Sequence, residues 1–591
     1  MSTPPDFPLE GFAKDYFAGI GDTSVEPTGF DKSLYLDIAE TIVREAASWQ
    51  DANGRIIDPV IREEWNHCSP RYASSVAPLI RMGRCEDLLE SCVKCIDAGV
   101  RDLVAGVCKA PDFTPRDLCL AIDCLGDRVG RGVVGEWKGL LGGYDPQKIY
   151  TSVTSKKKQE DLHNFSLYNL TGEQMKRRIG AADNIAFIEE HLVIQLQRFN
   201  SFGLYRDPNC PMTYDLTDRQ NLVLLLNYGY DGRHRAAADE MLRRGGLTQL
   251  FYQSTTGQMP YGGRSNQFHH MEGMACCNAE FEASRYARLG NRQMASVFKR
   301  AARRAAASVT RWILDVKPFR HVKNMFPRET LHGCDSYGHV AVYSLLASNL
   351  FAYAALIADD SIEECAAPCD VGGYVVEVGE GFHRVFASCG PLHIQIDTCG
   401  QLDHDPTGLG RIHHRDKPPE LGLSMGIVSK PHYRTAEPPH STCIAIGPCW
   451  PTPAGETVSL AALQPSGAAL KIMEEGPNGI RFSITYNAGS AVTETYQLTP
   501  KGLDYTVSRP TGPLAVTVPM LVTDGAVEST IHQTPRGFRV AYRDHAFSME
   551  AIQPACVVRR LGVRAPNRNG IYDIASFEAR ERRMAVRLTF E

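Results

Sequence analysis

"VAVYSLLASNLFAYAALIA", Val340–Ala358, is the longest stretch of the chain without a charged residue. It approaches the roughly 20 residues needed to cross a bilayer. It also carries Tyr343, Ser344, Ser348 and Asn349, and it reads as a buried helix of a helical core, not as a membrane span. Upstream, "DKSLYLDIAETIVREAASW" (31–49), "CEDLLESCVKCIDAGVRDLVAGV" (85–107), "NIAFIEEHLVIQLQRF" (184–199) and "NRQMASVFKRAARRAAASVTRWILDV" (291–316) continue the helical periodicity. Many of these segments are apolar on more than one side, so they need neighbours on both flanks. Ten or more helices in series without a fixed-period repeat point to a helical toroid rather than an armadillo-type array.

Downstream the texture changes. "SIEECAAPCD" (361–370) loses the helical pattern, and "GYVVEVGEGFHRVFASCGPLHIQIDTCG" (373–400) alternates with β-branched residues between glycine turns. "IRFSITYNAGSAVTETYQLTPKGLDYTVSR" (480–509) and "RRMAVRLTFE" (582–591) do the same. Short strands joined by Gly, Pro and Asn turns predict an antiparallel β-sandwich. The expected plan is multidomain, α then β: an (α/α)n toroid, an incomplete barrel, over 1–365, then a sandwich over 366–591 that lends a loop to a cleft.

Bulk properties exclude several classes. The 591 residues carry a net charge of −5 and are 43% hydrophobic and 22% charged. No basic field of the kind a nucleic-acid binder uses is present. The start, "MSTPPDFPLEGFAKDYF", shows neither a basic nor an apolar leader segment. A cytoplasmic location is therefore expected, or a secreted or periplasmic one if the sequence is a truncated form. The 18 cysteines are scattered and read as buried reduced thiols. Neither a phosphate-binding loop, a dinucleotide glycine pattern nor a nucleophile elbow appears.

Four polar clusters remain. "GGRSNQFHHMEG" (262–273), preceded by Tyr261, gathers Arg264, Asn266, His269, His270 and Glu272. A helix starting near Ser265 would place Asn266, His269 and His270 on one face. "RETLHGCDSYGHVAVYS" (328–344) brings His332, Asp335, Tyr337 and His339 to a loop-to-helix junction; Tyr337 is an acid/base candidate. "HIQIDTCGQLDHDPTGLGRIHHRDKPPELGLS" (393–424) is rich in His and Asp, and Asp403–Pro419 reads as a long loop. "REEWNHCSPRYASS" (62–75) offers Trp65, Asn66 and His67, and Trp65, Tyr72, Trp137, Tyr205 and Tyr214 offer flat faces for sugar rings.

Layout and residue types together resemble polysaccharide lyases of the heparinase II/III and alginate-lyase kind. "GGRSNQFHHMEG" looks like the segment that carries their asparagine and a histidine, "DSYG" like the one with the catalytic tyrosine, and "GLGRIHH" (408–414) like a β-domain loop that closes the cleft. Here Gln267 and Phe268 separate the asparagine from the histidines, which stand adjacent to it in many such lyases.

The resemblance implies β-elimination beside a uronic acid. Tyr337, His270, Asn266 and His414 would be catalytic. Arg264, His269, Tyr261, Asn66, His67, Trp65, His332, His413 and Arg411 would bind an acidic polysaccharide or oligosaccharide. The alternative is a glycoside hydrolase on the same toroid, with Glu272 and Asp335 as the carboxylate pair and Asp215 or Glu173 as substitutes. A non-catalytic glycan-binding protein is a third class, and it would not need the titratable clusters. No cofactor is expected. His393, Asp397 and His404 are the residues that could hold a structural zinc or calcium ion. No nucleic-acid or membrane partner is expected, and a homodimer is compatible with the sequence.

Overall fold

A computed structural model describes residues 6–591 other than 22, 159, 160, 453, 554 and 555; of the opening stretch read for a leader, residues 1–5 lie outside the described residues. Helices fill the N-terminal part and antiparallel sheets the C-terminal part. The chain forms two compact units. One comprises Met1–Leu250, Phe268–His321 and Gly338–Ala366; the other comprises Phe251–Gln267, Val322–Tyr337 and Ala367–Glu591.

In the helical unit, six helices pack in series: Cys68–Arg81, Thr114–Leu125, Phe165–Ile179, Met212–Asn227, His270–Arg288 and Val340–Ile357, with the last returning to the first. Nearly every residue of these six is buried, which accounts for their lack of a polar face. Outer helices such as Lys32–Ala47, Leu89–Val104 and Arg292–Ala307 alternate with them along the chain. Successive inner helices therefore run in the same direction, and their N-termini collect at one end of the unit.

The helix Val340–Ile357 is 83% buried. Its polar residues join it to neighbours: Ser348 donates to the Ala39 carbonyl at 3.0 Å and Asn349 to that of Ser74 at 2.9 Å. Asp58 accepts the Ala341 amide at 2.7 Å, occupying an orphan donor of the first turn. Gly273 lets the facing helix approach, because a Cβ there would sit 2.9 Å from Leu350 Cβ.

The other unit contains three antiparallel sheets. Four strands, β1 (Gly372–Val378), β2 (Arg384–Cys389), β3 (Leu392–Asp397) and β4 (Gly408–His414), pair in order. An eight-stranded sheet, containing Ile480–Asn487 and Ala491–Thr499, and a six-stranded sheet complete the unit. One apolar core joins Ile394 and Ile412 of the first sheet to Phe482, Val516 and Phe577 of the others. The opposite face of the four-stranded sheet is covered by Phe251–Gln267: Phe251 meets Tyr374 and Tyr252 meets Phe386 with ring centroids 5.3 and 5.9 Å apart. Strands β2 and β3 are therefore buried throughout, whereas Ile480–Asn487 alternates between buried and exposed positions.

Candidate functional site

The segment 262–267 does not begin a helix. Gly262, Gly263, Ser265 and Gln267 have φ of 143°, 77°, 59° and 66°. Left-handed values at two non-glycine residues break any helical turn, and such strain collects at functional sites. The helix starts at His270, so the expected face of Asn266, His269 and His270 does not form. The turn is fixed instead by hydrogen bonds. The Gly263 amide donates to Asp405 at 2.7 Å, the Lys323 amide to the Gln267 carbonyl at 3.0 Å, and Asn569 to the Gln267 side chain at 3.0 Å. Asn266 is fully buried. Its Nδ2 donates to the Gly263 carbonyl at 2.5 Å, and its Oδ1 has no hydrogen-bond partner among the described residues.

Ser265 then reaches the second cluster. Its Oγ donates to the Tyr337 hydroxyl at 3.2 Å. Tyr337 is half-buried, and the residues before it are clamped. Both Asp335 oxygens take the Arg568 guanidinium at 2.9 Å, and Arg568 lies 4.1 Å over the Tyr433 ring. His332 binds the Asn567 carbonyl through Nε2 at 2.7 Å and accepts the Ala436 amide through Nδ1 at 2.9 Å. Burial pushes its pKa down to about 4, so it is a neutral clamp with both nitrogens engaged.

The third cluster is a strand where a loop was expected: Gly408–His414 is β4. Its alternation separates the two histidines. Arg411 and His413 face the 251–267 segment: Arg411 donates to the Met259 carbonyl at 2.7 Å, and His413 Nδ1 pairs with Ser254 at 2.9 Å. His413 Nε2 pairs with Ser424 at 3.0 Å, and burial holds this ring well below the usual histidine pKa. His414 packs with Phe590, centroids 5.6 Å apart, on the face opposite to Arg411, so the catalytic place expected for it is not on the Tyr261 side of the strand. Tyr261 is fully buried. Its backbone amide donates to the Gln395 side chain at 3.2 Å and its carbonyl accepts from the same amide at 2.7 Å. The Arg384 and Arg411 guanidiniums lie 5.6 and 5.7 Å from its ring. Gly410 is required beneath it, since a Cβ would run into the hydroxyl. Arg264 is half-buried between Gly263 and Ser265.

The remaining candidates belong to the helical unit, in the segments that precede inner helices. His67 stacks on Phe113, centroids 5.2 Å apart, and Trp65 meets His339 at 4.6 Å. Asn66 has a left-handed φ of 51°. With His67, Arg55, Glu64 and Asp102 it lines a cavity of about 370 Å³. His67 is held neutral by burial and by the Arg71 and Arg116 charges. His269 Nε2 lies 3.0 Å from the Arg320 carbonyl, and His270 packs between Phe268 and Tyr343, at 5.5 and 4.6 Å. Tyr72, Trp137 and Tyr205 are core residues and offer no sugar platform; Trp65 and Tyr214 are half-buried.

No protein-family model matches the sequence, and no curated protein sequence matches it. The structure matches that of a chondroitin AC lyase from Streptomyces coelicolor A3, solved in complex with chondroitin sulphate. That match has a TM-score of 0.51 at 9% identity and covers 98% of this chain and 82% of that one. The two share a fold in which helices are followed by antiparallel sheets. A heparinase III structure gives a TM-score of 0.39 at 8% identity, over 80% of this chain and 76% of that one. A possible GH105 family member from Salmonella enterica subsp. enterica serovar Paratyphi A gives 0.39 at 10%, over 56% and 96%.

The carboxylates considered for hydrolysis are largely committed elsewhere. Asp335 is bound to Arg568, Asp215 to Arg219 at 2.8 Å, and Glu173 to Lys176 at 2.8 Å and Tyr150 at 2.6 Å. Glu272 is fully buried in the first turn of its helix. The three metal candidates do not assemble. His393 and Asp397 are four residues apart on β3, roughly 13 Å along a strand. Asp397 pairs with Arg384, while His404 stacks on His432 at 4.8 Å. Among the described residues no three His, Cys, Asp or Glu side chains are grouped to hold a metal, and all 18 cysteines are free.

Sequence reasoning missed Ser265 as the link to Tyr337, and it missed Arg568. The "NRNG" turn at 567–570 was the available signal, since an arginine between two asparagines in a tight turn has both backbone and charge to offer.

Proposed function

We propose that the protein is a polysaccharide or oligosaccharide lyase that cleaves a glycosidic bond next to a uronic acid by β-elimination. The observation that carries this reading is the Ser265–Tyr337 hydrogen bond, which brings the phenol beside the strained turn holding Asn266. The fold shared with a chondroitin AC lyase supports it.

The reaction removes the C5 proton, α to a carboxylate. The electron pair left on C5 forms the C4–C5 double bond as the C4–O bond breaks, and the departing oxygen takes a proton. A weak carbon acid of this kind needs its developing second charge neutralised by preorganised donors. Asn266 and Arg264 supply donors to the carboxylate. Tyr337 acts as the acid/base, returning a proton to the leaving oxygen. Arg411 and His413 hold the turn that carries Tyr261 and Arg264, and His332 holds the loop of Tyr337.

The test is an ultraviolet absorbance screen for the unsaturated product, over glycans containing glucuronate, iduronate, mannuronate or galacturonate. Absorbance should rise on at least one, and the Tyr337→Phe protein should lose it. New reducing ends without absorbance would overturn the reading in favour of hydrolysis.

A further inference from the structure

We propose that a groove on the 428–443 loop binds a second anionic group of the glycan, on a sugar neighbouring the uronate at the cut; the identity of the polymer rests on the lyase reading. The loop leaves and rejoins its unit at one point, where Ile427 and Ile444 exchange both backbone hydrogen bonds at 2.8 Å. A closed base of this kind makes a compact Ω-loop. Its middle is tied to the strand of chain that leads to Tyr337: the Gly333 amide donates to the Arg434 carbonyl at 2.8 Å, and the Arg434 amide to that of Cys334 at 2.9 Å. Tyr433, between the loop's cationic residues, is buried beneath Arg568.

A groove of about 680 Å³ opens on this loop, lined by Thr330, Asp403, Lys430, His432, Tyr433 and Arg434 among others. Its two permanent cations are not paired with an acid of the groove. Lys430 and Arg434 are exposed, and neither side chain makes a hydrogen bond or ion pair among the described residues. The loop's only acidic residue, Glu437, is taken by Arg564 in a two-point pair at 2.6 and 2.7 Å. Asp403 lies 3.8 Å from His432. Two unpaired cations lining one concavity with an anchored backbone attract an oxyanion. The Arg434 fork suits two oxygens of one group, Lys430 adds a point charge, and little backbone has to be ordered on binding. A sulphate ester and a second carboxylate share this chemistry.

Binding is measured on Tyr337→Phe protein, so that the glycan stays uncut, by fluorescence polarisation of labelled oligosaccharides. Three probes are used: chondroitin sulphate, the same material after desulphation, and alginate, which carries a carboxylate on every sugar. At least one of the two anion-dense probes should bind about tenfold tighter than desulphated chondroitin, and adding Lys430→Ala with Arg434→Ala should remove that margin. Preference for chondroitin sulphate identifies a sulphate, and preference for alginate a carboxylate. Equal affinity for all three, no binding to any, or a margin that survives the double variant would overturn the proposal. Both residues are exposed, so the unfolding midpoint should not move. Failure of the native protein to release an unsaturated product, with the binding margin intact, would reject the lyase reading alone.

Discussion

Two buried arginine–aspartate pairs, one from each unit, share the same chemistry. Arg219 grips Asp215 one turn away on the helix Met212–Asn227, at 2.8 Å. Arg568 grips Asp335, 233 positions distant, at 2.9 Å through both guanidinium nitrogens. All four residues are buried. In the helix the backbone is already set by its own hydrogen bonds, and the pair satisfies charges that the core encloses. In the loop only a short bridge to Tyr433 and Arg434 orders the backbone, and the pair adds a side-chain clamp two residues before Tyr337. One device thus serves packing in the first case and, in the second, holds the loop of the tyrosine proposed as acid/base. A buried ion pair is weak evidence for net stability, but removing one partner leaves an uncompensated charge.

The sharpest break of this comparison leaves both forks intact. Tyr337→Phe should lower kcat by about 10²–10⁴-fold, with the unfolding midpoint unchanged because the residue is half-buried and gives up one hydroxyl contact. Steady-state kinetics and thermal unfolding check this together.

Next come the forks themselves. Arg568→Ala and Arg219→Ala should each cost about 3–5 kcal/mol in chemical denaturation. Only Arg568→Ala should also lower kcat/KM per folded molecule. Equal kinetic effects of the two would erase the distinction drawn between them.

A pH series probes the loop side. His332 is buried and its pKa is pushed down to about 4 by loss of solvent. A base whose folded pKa lies below its unfolded value binds fewer protons when folded. Its stabilising contribution is therefore complete above about pH 6.5 and is lost as pH falls towards 4, by roughly 3 kcal/mol in all. Resistance of the native protein to chemical denaturation should weaken as pH falls through that window, and His332→Gln should flatten the slope.

The smallest effect belongs to Ser265→Ala. Loss of one hydrogen bond to Tyr337 should cost about 0.5–1.5 kcal/mol, or about two- to tenfold in kcat/KM. No change in kcat/KM would mean that the Ser265 contact does not orient the phenol.

The order of elements was legible because burial leaves a signature in composition. Val340–Ile357 could be read as a core helix from its lack of a polar face, and the β half from its alternation. The candidate site could be read from the sequence only as a set of residue types, not as a geometry. Periodicity extends a helix back to Ser265, yet the backbone there is set by Asp405, Lys323 and Asn569, which are remote in sequence. Likewise "GLGRIHH" looks like a turn-rich loop, but its Gly410 serves close packing against Tyr261 on a paired strand. The choice between His413 and His414 depended on strand register, and local sequence does not encode register.

The central claim is that Asn266 and Tyr337 serve the loss of a ring proton rather than the addition of water. The most direct measurement is mass spectrometry of oligosaccharide products made in heavy-oxygen water. The account predicts a new unsaturated end, lighter by one water than the hydrolytic product, with no heavy oxygen incorporated. A saturated product with heavy oxygen at its new reducing end would contradict it.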